Sequence, residues 1–76
     1  MPRYFFHVTH EMLSLDGDGI SLPDIQSAWQ LATRTSGEVL RDLLLPAGQE
    51  WRMDVADEDG ELLFAIRVLA ESYDRA

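Results

Sequence analysis

The chain has 76 residues and no cysteine, so it has room for one domain and cannot form disulfides or thiolate metal sites. Its formal net charge is −8, from 14 acidic residues against 6 basic residues, all of which are arginine. Because this charge repels phosphate and the arginines are spread along the chain, we expect no binding to nucleic acid or to an anionic membrane.

The first predicted element is a strand over residues 3–9. Aromatic and β-branched residues alternate in it, so each face of the strand carries its own set of side chains. The first face carries Tyr4, Phe6 and Val8, and the second face carries Phe5, His7 and Thr9. Since a strand begins straight after Arg3, we expect no cleaved leader. Phe5 predicts that the second face is at least partly covered.

A turn and a long helix follow this strand. The run Asp16-Gly17-Asp18-Gly19 predicts a turn, and residues 20–22 predict a short strand that pairs with the first. Asp24 then caps a helix, because its carboxylate accepts hydrogen bonds from the free amides of the first turn. We interpret Gly37 within the helix as tolerated, at a cost of about 1 kcal/mol relative to alanine. The predicted buried stripe consists of Ile25, Ala28, Trp29, Ala32, Ser36, Val39, Leu40 and Leu43.

The last predicted element is a β-hairpin. Pro46 ends the helix, and alternating residues over 51–56 and 62–68 then flank the turn Asp57-Glu58-Asp59-Gly60, in which Gly60 takes the left-handed conformation. The order is β-β-α-β-β. This predicts a single α+β domain over residues 1–76, with one long helix on one face of a three- to four-stranded, largely antiparallel sheet. We expect residues 70–76 to form a frayed tail.

The chain resembles a family of short bacterial domains of unknown function. The resemblance rests on the opening Met1-Pro2-Arg3-Tyr4-Phe5-Phe6-His7-Val8, on the acidic turn before Gly19, on Leu22-Pro23-Asp24 at the start of an alanine-rich helix, and on the acidic hairpin turn. It covers nearly the whole chain, and the opening octapeptide is its most specific part. The resemblance implies no activity, substrate or catalytic residue.

The aspartates of the first turn invite a calcium hypothesis, because hard cations prefer several oxygen ligands from a loop that contains glycine. The spacing does not fit an EF-hand. With Gly19 at the obligatory glycine position, Ser14 becomes the first ligand and Ile25 takes the place of the bidentate glutamate. We therefore interpret Asp16 and Asp18 as a solvated turn and expect no metal and no cofactor.

His7 and His10 are the two residues whose ordinary pKa lies near neutrality. A catalytic site would also require an orienting group and a nucleophile in a pocket, and no motif in the sequence supplies them around His7. We therefore expect His7 to pack beside Phe5 on the second face. A small enzyme or ligand-binding protein that uses His7 remains an alternative hypothesis.

The second face of the sheet is the predicted interface. Aromatic residues and arginines are enriched at interfaces between proteins, and this face combines both with small apolar residues. The predicted interface residues are Phe5, His7, Arg52, Asp54, Ala65 and Arg67. The main functional hypothesis is a cytoplasmic, non-enzymatic interaction module that forms a homodimer through this face or through an edge strand.

A second hypothesis concerns the acidic tip of the hairpin. It carries four carboxylates, which attract a basic surface on another protein. The chain would then be an acidic regulator of that protein. The acidic tip consists of Asp57, Glu58, Asp59 and Glu61.

Overall fold

The computed structural model describes residues 1–42 and 45–73, which form one helix and five antiparallel strands. The elements are β1 (Arg3–His10), β2 (Met12–Ser14), β3 (Ile20–Ser21), α1 (Ile25–Asp42), β4 (Glu50–Ala56) and β5 (Leu62–Leu69). The predicted α+β fold is therefore confirmed. Leu43 of the predicted helix stripe, Leu44, and residues 74–76 of the predicted tail lie outside the described residues.

The five strands form one sheet in the order β2-β1-β4-β5, and β3 pairs with β1 on the same side as β2. The predicted pairing of residues 20–22 with the first strand is confirmed for Ile20 and Ser21. The short strand β2 is additional to the prediction. Glu11 connects β2 to β1 and has a φ of 66°, which lies in the left-handed region. The sequence does not indicate this turn, because glycine and asparagine are the residues that usually adopt this conformation.

The first face of the sheet carries the core. Phe6 of β1 lies opposite Val55 of β4, and Val55 lies opposite Phe64 of β5, so apolar residues of the three strands share one face. The helix packs over β4 and β5 on this face. The buried core cluster consists of Tyr4, Ala28, Ala32, Trp51, Met53 and Val55.

The helix begins after Asp24, as predicted. The Asp24 Oδ1 atom accepts the Ser27 N–H at 2.8 Å and the Ser27 hydroxyl at the same distance. The fully buried line of the helix is narrower than the predicted stripe. It consists of Ala28, Ala32 and Ser36, whose small side chains let the helix approach the sheet closely. The predicted burial of Ile25, Trp29 and Leu40 is wrong, because these larger residues lie on the flanks and remain about half exposed.

The turn between β4 and β5 has the predicted form. Gly60 has a φ of 82°, and its N–H donates to the Asp57 carbonyl at 3.1 Å. The hydrogen bonding of β5 continues through Ala70, whose N–H donates to the Gln49 carbonyl at 3.2 Å. Among the described residues, no helix combines the length and the apolar character that crossing a membrane requires.

Candidate functional site

The structure brings the predicted interface residues together on the second face, which is the face turned away from the helix. Phe5 and His7 of β1 lie opposite Ala56 and Asp54 of β4. On the other side of β4, Asp54 lies opposite Ala65 of β5. Arg52 lies opposite Arg67 in the next row.

The charges on the second face form pairs within the chain. Arg52 Nε lies 2.9 Å from Asp54 Oδ1, and the side chain of Asp54 is only 18% exposed. Arg67 Nε pairs with Glu50 across β4 and β5. Two arginines directly opposite each other would repel, so each requires its acidic partner. The face is therefore polar and self-neutralised, and burying it flat against a partner would cost desolvation of both ion pairs.

The chain itself covers part of the second face at Phe5. A Cβ atom placed on Gly19 would lie 2.8 Å from the Phe5 ring and 2.8 Å from Cγ of Arg3. The loop between β2 and β3 therefore passes directly against this aromatic ring. The predicted partial cover of the second face is thus supplied by the chain's own loop, and Phe5 by itself does not require a partner.

Asp16 occupies the gap that β2 and β3 leave along the edge of β1. Its Oδ2 accepts the Phe6 N–H at 3.2 Å, and its Oδ1 accepts the N–H groups of Asp18 and Gly19, each at 3.1 Å. The hydrogen bond from Gly19 is the main cause that lowers the pKa of Asp16; those from Phe6 and Asp18 and the nearby His7 lower it further, against a partial desolvation. Both carboxylate oxygens thus face backbone donors.

The two histidines take part in hydrogen bonds of the fold. His7 Nδ1 accepts the Asp16 N–H at 3.0 Å, and His10 Nε2 lies 3.1 Å from Gln49 Oε1. A general base needs a free nitrogen within reach of a substrate, and at His7 one of the two is already engaged. In the part of the chain that the structure describes, a shallow depression lies on the helix, lined by Thr35, Glu38, Val39 and Asp42, rather than beside His7.

The acidic tip is partly engaged in its own turn. Asp57 Oδ1 accepts the N–H groups of Asp59 and Glu61 at 2.9 and 3.0 Å. Glu58 Oε1 accepts the Arg3 N–H at 2.9 Å, which ties the tip to the start of β1. The carboxylates of Asp59 and Glu61 are the ones that remain outside these contacts in the described structure.

The strand β5 forms one edge of the sheet, a position that the sequence does not indicate. Within residues 1–42 and 45–73, no strand pairs with its outer side. Ala70 directs its N–H toward β4. Since these directions alternate along a strand, the N–H groups of Leu69, Arg67 and Ala65 point away from the sheet.

Apolar side chains flank the outer edge of β5 on both faces. On the first face, Trp29 contacts Phe64 with ring centroids 5.0 Å apart, and Trp29 is 48% exposed. At the two ends of the strand, Leu62 and Leu69 are 61% and 52% exposed. The signal for this edge in the sequence is that Arg67 is the single charged residue in the eight residues of β5.

The opposite edge of the sheet is interrupted. It consists of β2 and β3, which contain three and two residues, with the Asp16 loop between them. Met12, Leu13 and Leu15 are exposed there. Short edge strands and a bend in the chain are features that limit pairing with another strand. The long, regular edge for strand addition is therefore β5.

Comparisons with known proteins identify the family. A family model described as Domain of unknown function (DUF6894) matches residues 3–70, which is nearly the whole chain. No curated protein matches the chain, and no solved structure does. The match agrees with the resemblance seen in the sequence to short domains of unknown function.

Proposed function

We propose a function for this chain, which belongs to the family described as Domain of unknown function (DUF6894): it is a non-enzymatic interaction module that self-associates through the outer edge of β5. The observation that carries the proposal is that, among the described residues, no strand pairs with the outer edge of this eight-residue strand. Its outward N–H and C=O groups are a template for strand pairing.

The edge is a better interface than the second face as a whole. The second face holds the Arg52–Asp54 and Glu50–Arg67 ion pairs, whose burial costs desolvation. Pairing along the edge leaves both ion pairs at the surface. It also brings half-exposed apolar groups of each copy, Trp29 among them, next to those of the other copy.

The charge distribution is compatible with two copies side by side. The acidic tip lies at the start of β5, so antiparallel pairing places the tips of the two copies at opposite ends of the shared sheet. Eight residues of strand span about 27 Å, at roughly 3.4 Å per residue. Repulsion between the tips is screened over this distance, since the Debye length is about 8 Å at physiological ionic strength.

Two other hypotheses receive less support from the geometry. An acidic regulator would present four tip carboxylates, but Asp57 and Glu58 already accept hydrogen bonds from the chain's own backbone. An enzyme that uses His7 would have to use Nε2 as the catalytic atom, because Nδ1 accepts the Asp16 N–H. Neither hypothesis has an observation comparable to the free edge of β5.

Sedimentation equilibrium of the purified chain at concentrations up to the high micromolar range tests the proposal. Leu69→Lys places a charge at the β5 edge, and we expect it to weaken the dimer at least tenfold. Leu13→Lys is the matched control: Leu13 is 57% exposed, lies on the same face and is at the opposite edge. We expect this control to leave the dimer unchanged.

A proline variant tests the backbone contribution separately. Ala65 is exposed and its N–H points outward, so Ala65→Pro removes no hydrogen bond to β4 but blocks pairing at the edge. We expect a folded monomer, with circular dichroism as the check on the fold. A monomeric unmodified chain at high micromolar concentration would overturn the proposal, and so would dissociation by Leu13→Lys but not by Leu69→Lys.

A further inference from the structure

We infer that two copies of this chain pair β5 with β5 in an antiparallel arrangement. Ile66 lies opposite its own copy in this arrangement, and the two-fold axis passes between the two Ile66 residues. This inference rests on the proposed self-association and adds the register of the interface. It follows from three properties of β5: the alternation of its faces, the extent of its regular segment, and the position of its one charged residue.

The alternation of faces limits the possible registers. Each copy must present its first face on the same side as the other copy, because the first face carries the core and the helix. Residues directly opposite each other in an antiparallel pair lie on the same face. One residue of β5 must therefore lie directly opposite its own copy, and the two-fold axis passes midway between these two residues. We name the axis by this residue.

The regular part of β5 limits the registers further. The pairing with β4 shifts at Val55 and Ala56, and this irregularity falls at residues 62–63 of β5. The regular segment is therefore 64–69. Two registers pair five regular residues with their copies: an axis at Ile66 pairs residues 64–68, and an axis at Arg67 pairs residues 65–69.

Arg67 decides between these two registers. An axis at Arg67 would place Arg67 opposite its own copy, and Arg52 already lies opposite Arg67 within each chain. Four arginines would then stand in one row across four strands, which is strongly repulsive. The axis at Ile66 avoids this row.

The axis at Ile66 also creates a favourable charge relationship. It places Arg67 of one copy opposite Ala65 of the other, and Ala65 lies opposite Asp54 within its own chain. The row on the second face is then Asp54, Ala65 and the arginine of the second copy. Two strand spacings are about 9.6 Å, so the arginine of one copy and Asp54 of the other attract each other across the small Ala65 while the Arg52–Asp54 and Glu50–Arg67 ion pairs of each chain stay intact.

The first face gains apolar contacts in the same register. Ile66 lies opposite its own copy, and Phe64 lies opposite Val68 of the other copy. All three residues are half-buried in the single chain and pack against its core. The dimer would therefore extend the apolar first face across both copies and form one ten-stranded sheet.

Single cysteine variants test the register, because the natural chain has no cysteine to interfere. The N–H of Ile66 points toward β4, so Ile66 and its copy would form a non-hydrogen-bonded pair with Cα atoms about 4.5 Å apart. That distance lies within the range of a disulfide, about 4.4–6.8 Å. We expect Ile66→Cys to form a covalent dimer under mild oxidation, and Gln30→Cys, which is exposed on the helix, to remain monomeric on a denaturing gel.

A mixture of two variants guards against a folding defect of Ile66→Cys. Ala65→Cys and Arg67→Cys alter exposed positions, and we expect them to cross-link when mixed but not when each is alone. Self-cross-linking of Ala65→Cys, which keeps Arg67, would overturn the Ile66 axis, as would a sedimenting dimer that cross-links at none of these positions. In these cases self-association itself would stand, whereas a monomeric unmodified chain would overturn the proposed function.

Discussion

The backbone N–H of Asp16 donates a hydrogen bond to Nδ1 of His7 at 3.0 Å, and the Asp16 carboxylate accepts the N–H of the neighbouring Phe6 at 3.2 Å. Asp16 of the loop between β2 and β3 is thus both a donor to β1 and an acceptor from it. Between β2 and β3, where no described strand pairs with this side of β1, the Asp16 carboxylate is the acceptor for the Phe6 N–H. The acidic turn that suggests a metal site in the sequence has a structural role in the fold.

This role predicts a dependence of stability on pH. The pKa of Asp16 in the folded chain lies below its ordinary value of 3.8, mainly through the hydrogen bond from Gly19. The unfolded state therefore takes up a proton first as the pH falls, and the stabilisation by Asp16 is complete above about pH 5 and lost through the folded pKa. Asp16→Asn should lower the free energy of unfolding at pH 7 by about 1–2 kcal/mol, measured by urea denaturation.

The control for this prediction is Asp18→Asn in the same loop. It removes the same charge, but the Asp18 side chain makes none of the hydrogen bonds described for Asp16. We expect Asp18→Asn to keep the decline of stability between pH 5 and pH 2, and Asp16→Asn to flatten it. An equal decline in both variants would contradict the assigned role of Asp16.

Gly19 is expected to tolerate no side chain. Its φ is 72°, and an added Cβ would approach both the Phe5 ring and Arg3. Gly19→Ala should therefore lower the free energy of unfolding by more than about 2 kcal/mol. Gly60→Ala has a similar φ in open space and should cost about 1 kcal/mol, while Gly17→Ala should be nearly neutral. Thermal denaturation of the three variants checks this order, and equal effects at Gly19 and Gly60 would exclude the contact with Phe5.

Ser36 is expected to be replaceable by alanine with a gain in stability. Its hydroxyl is buried against the sheet and finds no hydrogen-bond partner among the described residues. Ser36→Ala should raise the free energy of unfolding by about 1 kcal/mol, because the desolvation of an unpaired hydroxyl is removed. Ser27→Ala on the same helix removes a hydroxyl that donates to Asp24, and it should lower stability instead. Urea denaturation midpoints compare the two, and a loss of stability in Ser36→Ala would show that the hydroxyl has a partner.

Gly37 is expected to contribute nothing specific to the helix. A Cβ at this exposed position would meet no described atom within 4 Å, which supports tolerance over a close contact. Gly37→Ala should raise the free energy of unfolding by about 1 kcal/mol through helix propensity. Gly48→Ala is the control with the opposite expected sign. Gly48 has a φ of 86°, which favours glycine, so this variant should lower the free energy of unfolding. A destabilised Gly37→Ala variant in thermal denaturation would point to a contact made by this glycine.

Glu11 is expected to be a strained residue between β1 and β2. Its φ of 66° lies in the left-handed region, which is unfavourable for a residue other than glycine or asparagine. Glu11→Gly should raise the melting temperature, with a gain of about 1 kcal/mol at most because glycine also adds freedom to the unfolded chain. Glu11→Val should lower it. If both variants behave alike in calorimetry, the strain at this turn is absent.

The extent to which the sequence predicted the structure differs between local and distant features. The caps and turns were predictable because their causes lie within a few residues: Asp24 accepts the Ser27 N–H, and Gly60 takes a positive φ. The faces of the strands followed from alternation, so the grouping of His7, Asp54 and Ala65 on the second face was predictable as well. The strand β2 was not predictable, because the turn at Glu11 that precedes it carries no turn-forming residue.

The sequence by itself determined the α+β class of this acidic chain, since alternation, capping residues and turn residues act over short distances along the chain. Only the tertiary structure decided what the side chains do. Phe5 is contacted by Gly19, and Asp16 completes the edge of β1, across separations in sequence that no periodicity encodes. Strand order likewise decided that β5 lies at an edge, because an edge is defined by which strands pair and not by the residues of the strand alone.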